Sequence, residues 1–230
     1  MATDEQKAMC YVLDILLTKG QEWERRDPNA SQKASRAAKA KFSSITKNEL
    51  ETHLMHGGPK SEFAEDKVIF LTPPAKEDAG IAALWCRWDY EKALPRCGFY
   101  FGLWSPRASF PKVATEQPKD RQIGFIGYRF ETPEEDDNHN YYHSQPCRSM
   151  GSKDDEIEVS LPFSYRMPTW PLAAKCSLEL LLCVVTSIYG MKGLLDLEET
   201  ISLDTRARQN PLLRAAVKSL LDTRHFKAAG

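Results

Sequence analysis

Residues 134 to 147 read Glu-Glu-Asp-Asp-Asn-His-Asn-Tyr-Tyr-His-Ser-Gln-Pro-Cys, the densest cluster of proton-transferring and metal-binding side chains in the 230-residue chain. It gathers four consecutive acids, two of the five histidines, two tyrosines and a thiol. His139 and His143 are four apart and share a face in either a helix or a strand. On a helix their side chains would stand about 6 Å apart and could hold one metal ion; on a strand they would stand about 13 Å apart and could not. In the helical case His139 and His143, joined by Cys147 or by an acid such as Glu135, would hold a divalent transition metal such as zinc. An open position for water would then support hydrolysis, with a neighbouring acid as general base. Pro146 disfavours helical geometry at Gln145, and Asn138 and Asn140 favour turns, so the local sequence leans away from that case. What remains is a loop packed over a sheet edge, or a binding surface made of His139, Tyr141, Tyr142, His143 and Gln145. A base and thiol pair, His143 with Cys147, needs a proximity and an oxyanion hole that spacing does not supply.

No GxGxxG, GxxxxGK[ST], HExxH or GxSxG occurs, which lowers the prospect of an enzyme and implies no cofactor. Charge is balanced overall at 31 basic and 32 acidic residues, so no whole-molecule field draws the chain to nucleic acid or anionic lipid. Locally it is segregated. Residues 131 to 158 hold nine acids against two bases, and residues 205 to 230 hold six bases against one acid. These blocks attract each other within the fold, or each faces a partner of opposite sign. A second basic stretch, Arg25, Arg26, Lys33, Arg36, Lys39 and Lys41, forms the kind of strip on a helix that tracks phosphates, though solvated helices look the same. Only Trp23 and Phe42 lie near it for base stacking, which disfavours single-strand recognition.

The elements that must position these groups follow from periodicity. Met9, Val12 and Leu16 recur at helical spacing and predict a helix over residues 5–24, interrupted by Gly20. A second helix is predicted over 31–55, closed by His56-Gly57-Gly58-Pro59. The period then becomes that of strands, at 67–72, 81–90, 97–104, 122–131 and 157–163, with an irregular region over 132–155. Large rings fall on both strand faces, with Trp85 opposite Trp88 and Tyr100 opposite Phe99. They are expected to lie under helices on both sides or to form an exposed aromatic patch for docking another protein. Residues 173–189 are apolar nearly all round and predict a core helix ended by Gly190; Trp170, before it, staples the helix start. The stretch is too short and too interrupted for a bilayer span of roughly 20 residues, so no membrane role is expected. Pro211 opens a last amphipathic helix over 212–224.

Helices segregated from strands define an α+β fold: an antiparallel sheet of about four or five strands with N- and C-terminal helices packed on it. A single domain is expected over 1–230, helical over 1–60, sheet over 61–165 and helical over 166–230. Six cysteines without CxxC spacing read as reduced thiols, and the N-terminus lacks a signal-peptide pattern, so a soluble cytoplasmic protein is expected. The leading functional expectation is a non-enzymatic interaction module, a subunit or adaptor of a larger intracellular assembly whose partner is protein. The alternatives are the metal-dependent hydrolase of His139 and His143 and a nucleic-acid-contacting subunit.

Overall fold

Asp4 and Glu5 sit in the first turn of helix α1 (Asp4–Arg26) and Arg25 and Arg26 in its last, each opposing the helix dipole. A reciprocal cap fixes its start: the Gln6 amide donates to Thr3 Oγ1 at 3.1 Å, and the Thr3 amide donates to Gln6 Oε1 at 2.8 Å. The helix runs through Gly20 without interruption. A Cβ at Gly20 would overlap the Phe70 carbonyl oxygen and lie 2.9 Å from its carbon, so this glycine serves close packing rather than termination. The computed structural model describes residues 2–26, 39, 42–56, 60–72, 81–91, 96–109, 123–133, 141–147 and 170–223.

The second half of the predicted 31–55 helix is not one helix. Ser43–Ser44 form strand β1, followed by the short helix α2 (Lys47–Glu51) and a π-helical turn, Thr52–His56. A capping box causes this: Thr46 is extended, its hydroxyl accepts from the Glu49 amide at 3.2 Å, and its own amide donates to Glu49 Oε2 at 2.7 Å. The box starts the helix at Lys47 and leaves the chain before it extended. The Thr46 amide, the Thr46 hydroxyl and Lys67 hold the Glu49 carboxyl below its ordinary 4.5. A lowered folded-state value means stability that is present above the ordinary value and lost as pH falls through the lowered one. Thr46→Ala is therefore expected to cost about 1 kcal/mol at neutral pH in urea unfolding. The wild-type margin over Glu49→Gln should shrink as pH falls below that ordinary value; a margin constant across this range would refute the cap.

The described strands form one eight-stranded sheet. Its path is β1, β3 (Lys67–Leu71), β4 (Ile81–Asp89), β5 (Arg96–Ser109), β6 (Ile123–Glu131), β7 (His143–Cys147) and β8 (Trp170–Pro171), with β2 (Lys60–Glu62) paired to β4 off the path. All pairings are antiparallel except β1 with β3. The α+β class holds, but strands outnumber the expected four or five, because β1, β2 and β8 have only two or three residues and β7, His-Ser-Gln-Pro-Cys, has no apolar alternation to show. β7 also falls in the region predicted to be irregular, and the predicted strand at 157–163 lies outside the described residues. The end strands β1 and β8 have two residues each and shield Lys67–Val68 of β3 and His143–Ser144 of β7 from pairing with another chain. At β3, helix α1 completes that protection through Gly20 and through the Thr72 hydroxyl, which donates to the Lys19 carbonyl at 3.1 Å.

The core helix ends at Gly190, as its spacing predicts, with φ 67° and ψ −166°, and a second helical arm follows directly; the two arms together are α3 (Ser177–Leu203). That backbone region is open almost only to glycine. Before the break, Leu178 through Thr186 are buried on every side; after it, only Leu194, Leu197 and Ile201 are. By length and composition α3 could cross a membrane, but its first half is the centre of this protein's core. A short turn, α4 (Thr205–Arg208), leads to α5 (Pro211–Thr223), which packs Leu213, Ala216, Val217 and Leu220 inward. Tyr11 donates to Asp204 Oδ2 at 2.9 Å, tying α1 to the α3–α4 junction.

Helices α1 and α3 cover one face of the sheet. Tyr90 reaches Met9 Sδ at 3.7 Å, and Cys97 lies beside Ser177, so the face of Leu84, Cys86, Trp88, Cys97 and Phe99 meets α1 and α3. Rings of both faces are buried: Trp85, Trp88, Phe99, Tyr100, Phe101 and Phe130 are each at most 9% exposed. These rings form no exposed aromatic patch; the side chains of Trp104 and Phe125 lie outside the description.

Candidate functional site

On the face opposite α1 and α3, strand register lines up Arg87, Gly98, Glu131 and His143 in one row and Trp85, Tyr100, Arg129 and Gln145 in the next. The Glu131 side chain is 11% exposed and is ringed by donors. Oε1 accepts from Arg87 Nη2 at 2.8 Å and from the Tyr100 hydroxyl at 3.1 Å, while Oε2 pairs with Arg129 Nε at 3.1 Å and lies 3.8 Å from His143 Nε2. Gly98 makes the reach possible, since a Cβ there would lie 2.9 Å from Arg87 Nε and 3.1 Å from the Tyr100 ring. The Arg87 guanidinium lies over that ring, 5.6 Å from its centre. Burial, followed by the Glu131 charge, pushes the Tyr100 phenol well above its ordinary range. With both carboxylate oxygens engaged, the cluster ties β4, β5, β6 and β7 together more readily than it serves a substrate.

His143, 3% exposed, is held in this cluster by Nδ1, which lies 3.0 Å from the Tyr141 carbonyl, and by a T-shaped contact with the Tyr141 ring at 5.9 Å. The Gln145 amide, with its oxygen turned toward Arg129, accepts from that guanidinium. Tyr142 points the other way, toward Cys97 and Cys176, and burial pushes its phenol up to about 12. Three of the five residues expected to form a binding surface, Tyr141, His143 and Gln145, thus meet on one face. His139 and the acids 134–137 lie outside the described residues. Because His143–Cys147 is a strand, those two residues are separated by about 13 Å and do not share one ion. Among the described residues no group of three or more histidines, cysteines or acids is placed to hold a metal.

Of the basic strip, Arg25 and Arg26 are exposed on the last turn of α1, and Arg26 pairs with Glu22 at 3.4 Å. Lys39 pairs with Glu24 at 2.7 Å and lies over the Phe70 ring; Lys33, Arg36 and Lys41 lie outside the described residues. Burial raises the Cys97 thiol to about 12 and the Cys10 and Cys176 thiols to about 11, and lifts Cys86 well above its ordinary range. Such thiols stay protonated at neutral pH and are not nucleophiles.

A second feature lies between the helices. The Leu178 amide donates to Glu5 Oε1 at 3.1 Å, and Thr72 joins the Lys19 carbonyl to the Tyr189 hydroxyl, at 3.1 and 2.9 Å, so α1 and the part of α3 before Gly190 run in the same direction, whereas the Tyr11 bond to Asp204 brings the part after Gly190 back toward the first half of α1. At the level of Thr72 and beyond, they enclose a groove of about 480 Å³. Ile15, Leu16, Val185, Ile188 and Leu197 supply its apolar lining, Trp23 and Tyr189 its aromatic walls, and Lys19, Arg26 and Lys192 with Glu22 and Asp196 its charges. Gly193 leaves room for Tyr189, whose Cβ and ring would collide with a side chain there. Sequence reading missed this groove because its walls come from opposite ends of the chain; the helical spacing of Lys19, Trp23 and Arg26 was the available signal. No family model, no curated protein and no solved structure matches the chain.

Proposed function

We propose that the protein is a non-enzymatic interaction module, a subunit or adaptor of a larger intracellular assembly, and that it holds a helix of a protein partner between α1 and α3. The observation that carries this reading is the groove itself. Its α1 wall, Ile15 to Arg26, extends for about 17 Å at 1.5 Å per residue, the length of three helical turns. α1 and the two arms of α3 frame an apolar floor that offers a further helix a place for its own apolar stripe. Aromatic side chains at such a position, here Trp23 and Tyr189, are the type that anchors interfaces. The raised thiols and the donor-ringed Glu131 support the same reading, since neither offers a nucleophile or base in waiting.

Photo-crosslinking from position 192 on α3, with position 218 on α5 as control, tests it. A partner chain should be captured at 192 and not at 218, and Trp23→Asp should reduce the yield about tenfold, the effect of losing one aromatic anchor. Equal capture at the two positions, or capture that survives Trp23→Asp, would refute the reading.

A further inference from the structure

We infer that residues 191–223, the second arm of α3 with α4 and α5, form a helical hairpin hinged at Gly190 that parts from α1 as a unit and carries one wall of the groove with it. That this motion sets the access of a partner helix rests on the groove being a helix site. Before the hinge α3 is fixed: Leu178 to Thr186 are buried, the Leu178 amide is bonded to Glu5, and the Tyr189 hydroxyl donates to the Thr72 carbonyl at 2.9 Å. At the hinge, Gly190 has a φ of 67° and a ψ of −166°, a backbone region open almost only to glycine. An added Cβ there would meet nothing within 4 Å, so the break is not wedged by packing. Just beyond it, Gly193 lies against Tyr189 with no side chain between them, which gives the second arm a ring to pivot on.

The seam between the hairpin and α1 is open at both ends. At the hinge end lies the groove of about 480 Å³, with Ile15, Lys19 and Trp23 on the α1 wall and Lys192, Asp196 and Leu197 on the hairpin wall. At the bend lies a cavity of about 340 Å³, lined by Asp4, Lys7 and Tyr11 of α1 and by Ala207, Gln209 and Leu213 of the hairpin, among others. Two side-chain bonds fasten the bend: Tyr11 donates to Asp204 Oδ2 at 2.9 Å, and Asn210 Nδ2 donates to the Asp4 carbonyl at 3.3 Å. Such bonds exchange for bonds to water at a small net cost, which suits a latch. The hairpin also has contacts of its own to keep. Its two helices pack on each other, and the buried stripes Leu194, Leu197 and Ile201 on one and Leu213, Val217 and Leu220 on the other hold them together when they leave α1. Openings below global unfolding draw on contiguous motifs of this kind.

Distances between spin labels, carried on noncanonical residues in the full-length protein, test the hinge. One pair replaces Lys7 and Gln209 across the bend, a second replaces Lys19 and Lys192 across the groove, and a control pair replaces Thr18 and Asp66 on α1 and beside β3; all six positions are exposed. Tyr11→Phe keeps the ring and removes the donor to Asp204, so the parted population should rise about tenfold. A longer distance should then appear in the first two pairs together while the control keeps its single distance. Unchanged distances in both test pairs would overturn the hinge. Lengthening across the bend alone would mean that the bend frays while the groove wall stays, and lengthening of the control would mean general unfolding; each overturns the inference. If both test pairs lengthen as stated but crosslinking from position 192 captures nothing, the hairpin moves and the helix-site reading is what fails.

Discussion

Gly20→Ala is expected to destabilise the protein by about 3 kcal/mol, although the same change inside an exposed helix would stabilise by about 0.5–1 kcal/mol. The sign reverses because of what α1 touches. A Cβ at position 20 would overlap the Phe70 carbonyl oxygen and lie 2.9 Å from its carbon, and both are backbone atoms held in β3. A flexible side chain could turn aside; a strand in register with β4 cannot. The helix must therefore lift from the sheet, and with it goes the Thr72 hydroxyl bond to the Lys19 carbonyl. Beneath it, Leu13, Leu16 and Leu17 lose part of their burial against the core. Urea unfolding of wild type and variant, with the unfolding slope compared, is sufficient. A neutral or stabilising effect would mean that α1 does not lie on β3 as described.

The same glycine shows which parts of the fold were legible in the sequence. Helical spacing at Met9, Val12 and Leu16 found α1, but a glycine in mid-helix reads as an interruption unless the neighbouring strand is known. Gly190, by contrast, reads correctly as a terminator. It has the positive φ of a terminating glycine; what the spacing before it does not show is the second arm that follows, which packs Leu194, Leu197 and Ile201 inward. Strand β3 shows itself as a short apolar run and β4 to β6 as alternation, whereas a two-residue strand such as β1 is defined by its hydrogen bonds to β3 alone. At 42–46 the decisive signal was present in the sequence: Thr46 with Glu49 three residues later is a helix start, and it outweighs the helix-forming residues before it.

The site was less legible than the fold. The cluster that absorbs His143 takes Arg87 from β4, Tyr100 from β5 and Arg129 and Glu131 from β6. Each of these looks unremarkable in its own strand, and only register brings them together. A local reading therefore paired His143 with its sequence neighbours, when its charged neighbour in space lies across the sheet. The groove shows the same effect on a larger scale, since Trp23 and Tyr189 share a cavity only because α3 packs against α1.

Glu131→Leu should cost about 3 kcal/mol, the low end for breaking a buried ion pair, because Arg87 and Arg129 are each about a third exposed and water screens them in part. The loss comes from what is left behind. Two guanidinium groups and the Tyr100 hydroxyl would face an apolar side chain, and the arginines would repel each other without the carboxylate between them. Glu131→Gln keeps an acceptor and the volume while removing the charge, so it should cost less, about 1–2 kcal/mol. The double variant Arg87→Leu, Glu131→Leu removes one stranded cation along with its partner and should recover part of the loss. Its cost should fall below the sum of the two single changes by about 1 kcal/mol or more in a double-mutant cycle. Strict additivity would mean that Arg87 and Glu131 do not interact, and β4 would then be joined to β6 through the backbone of β5 alone.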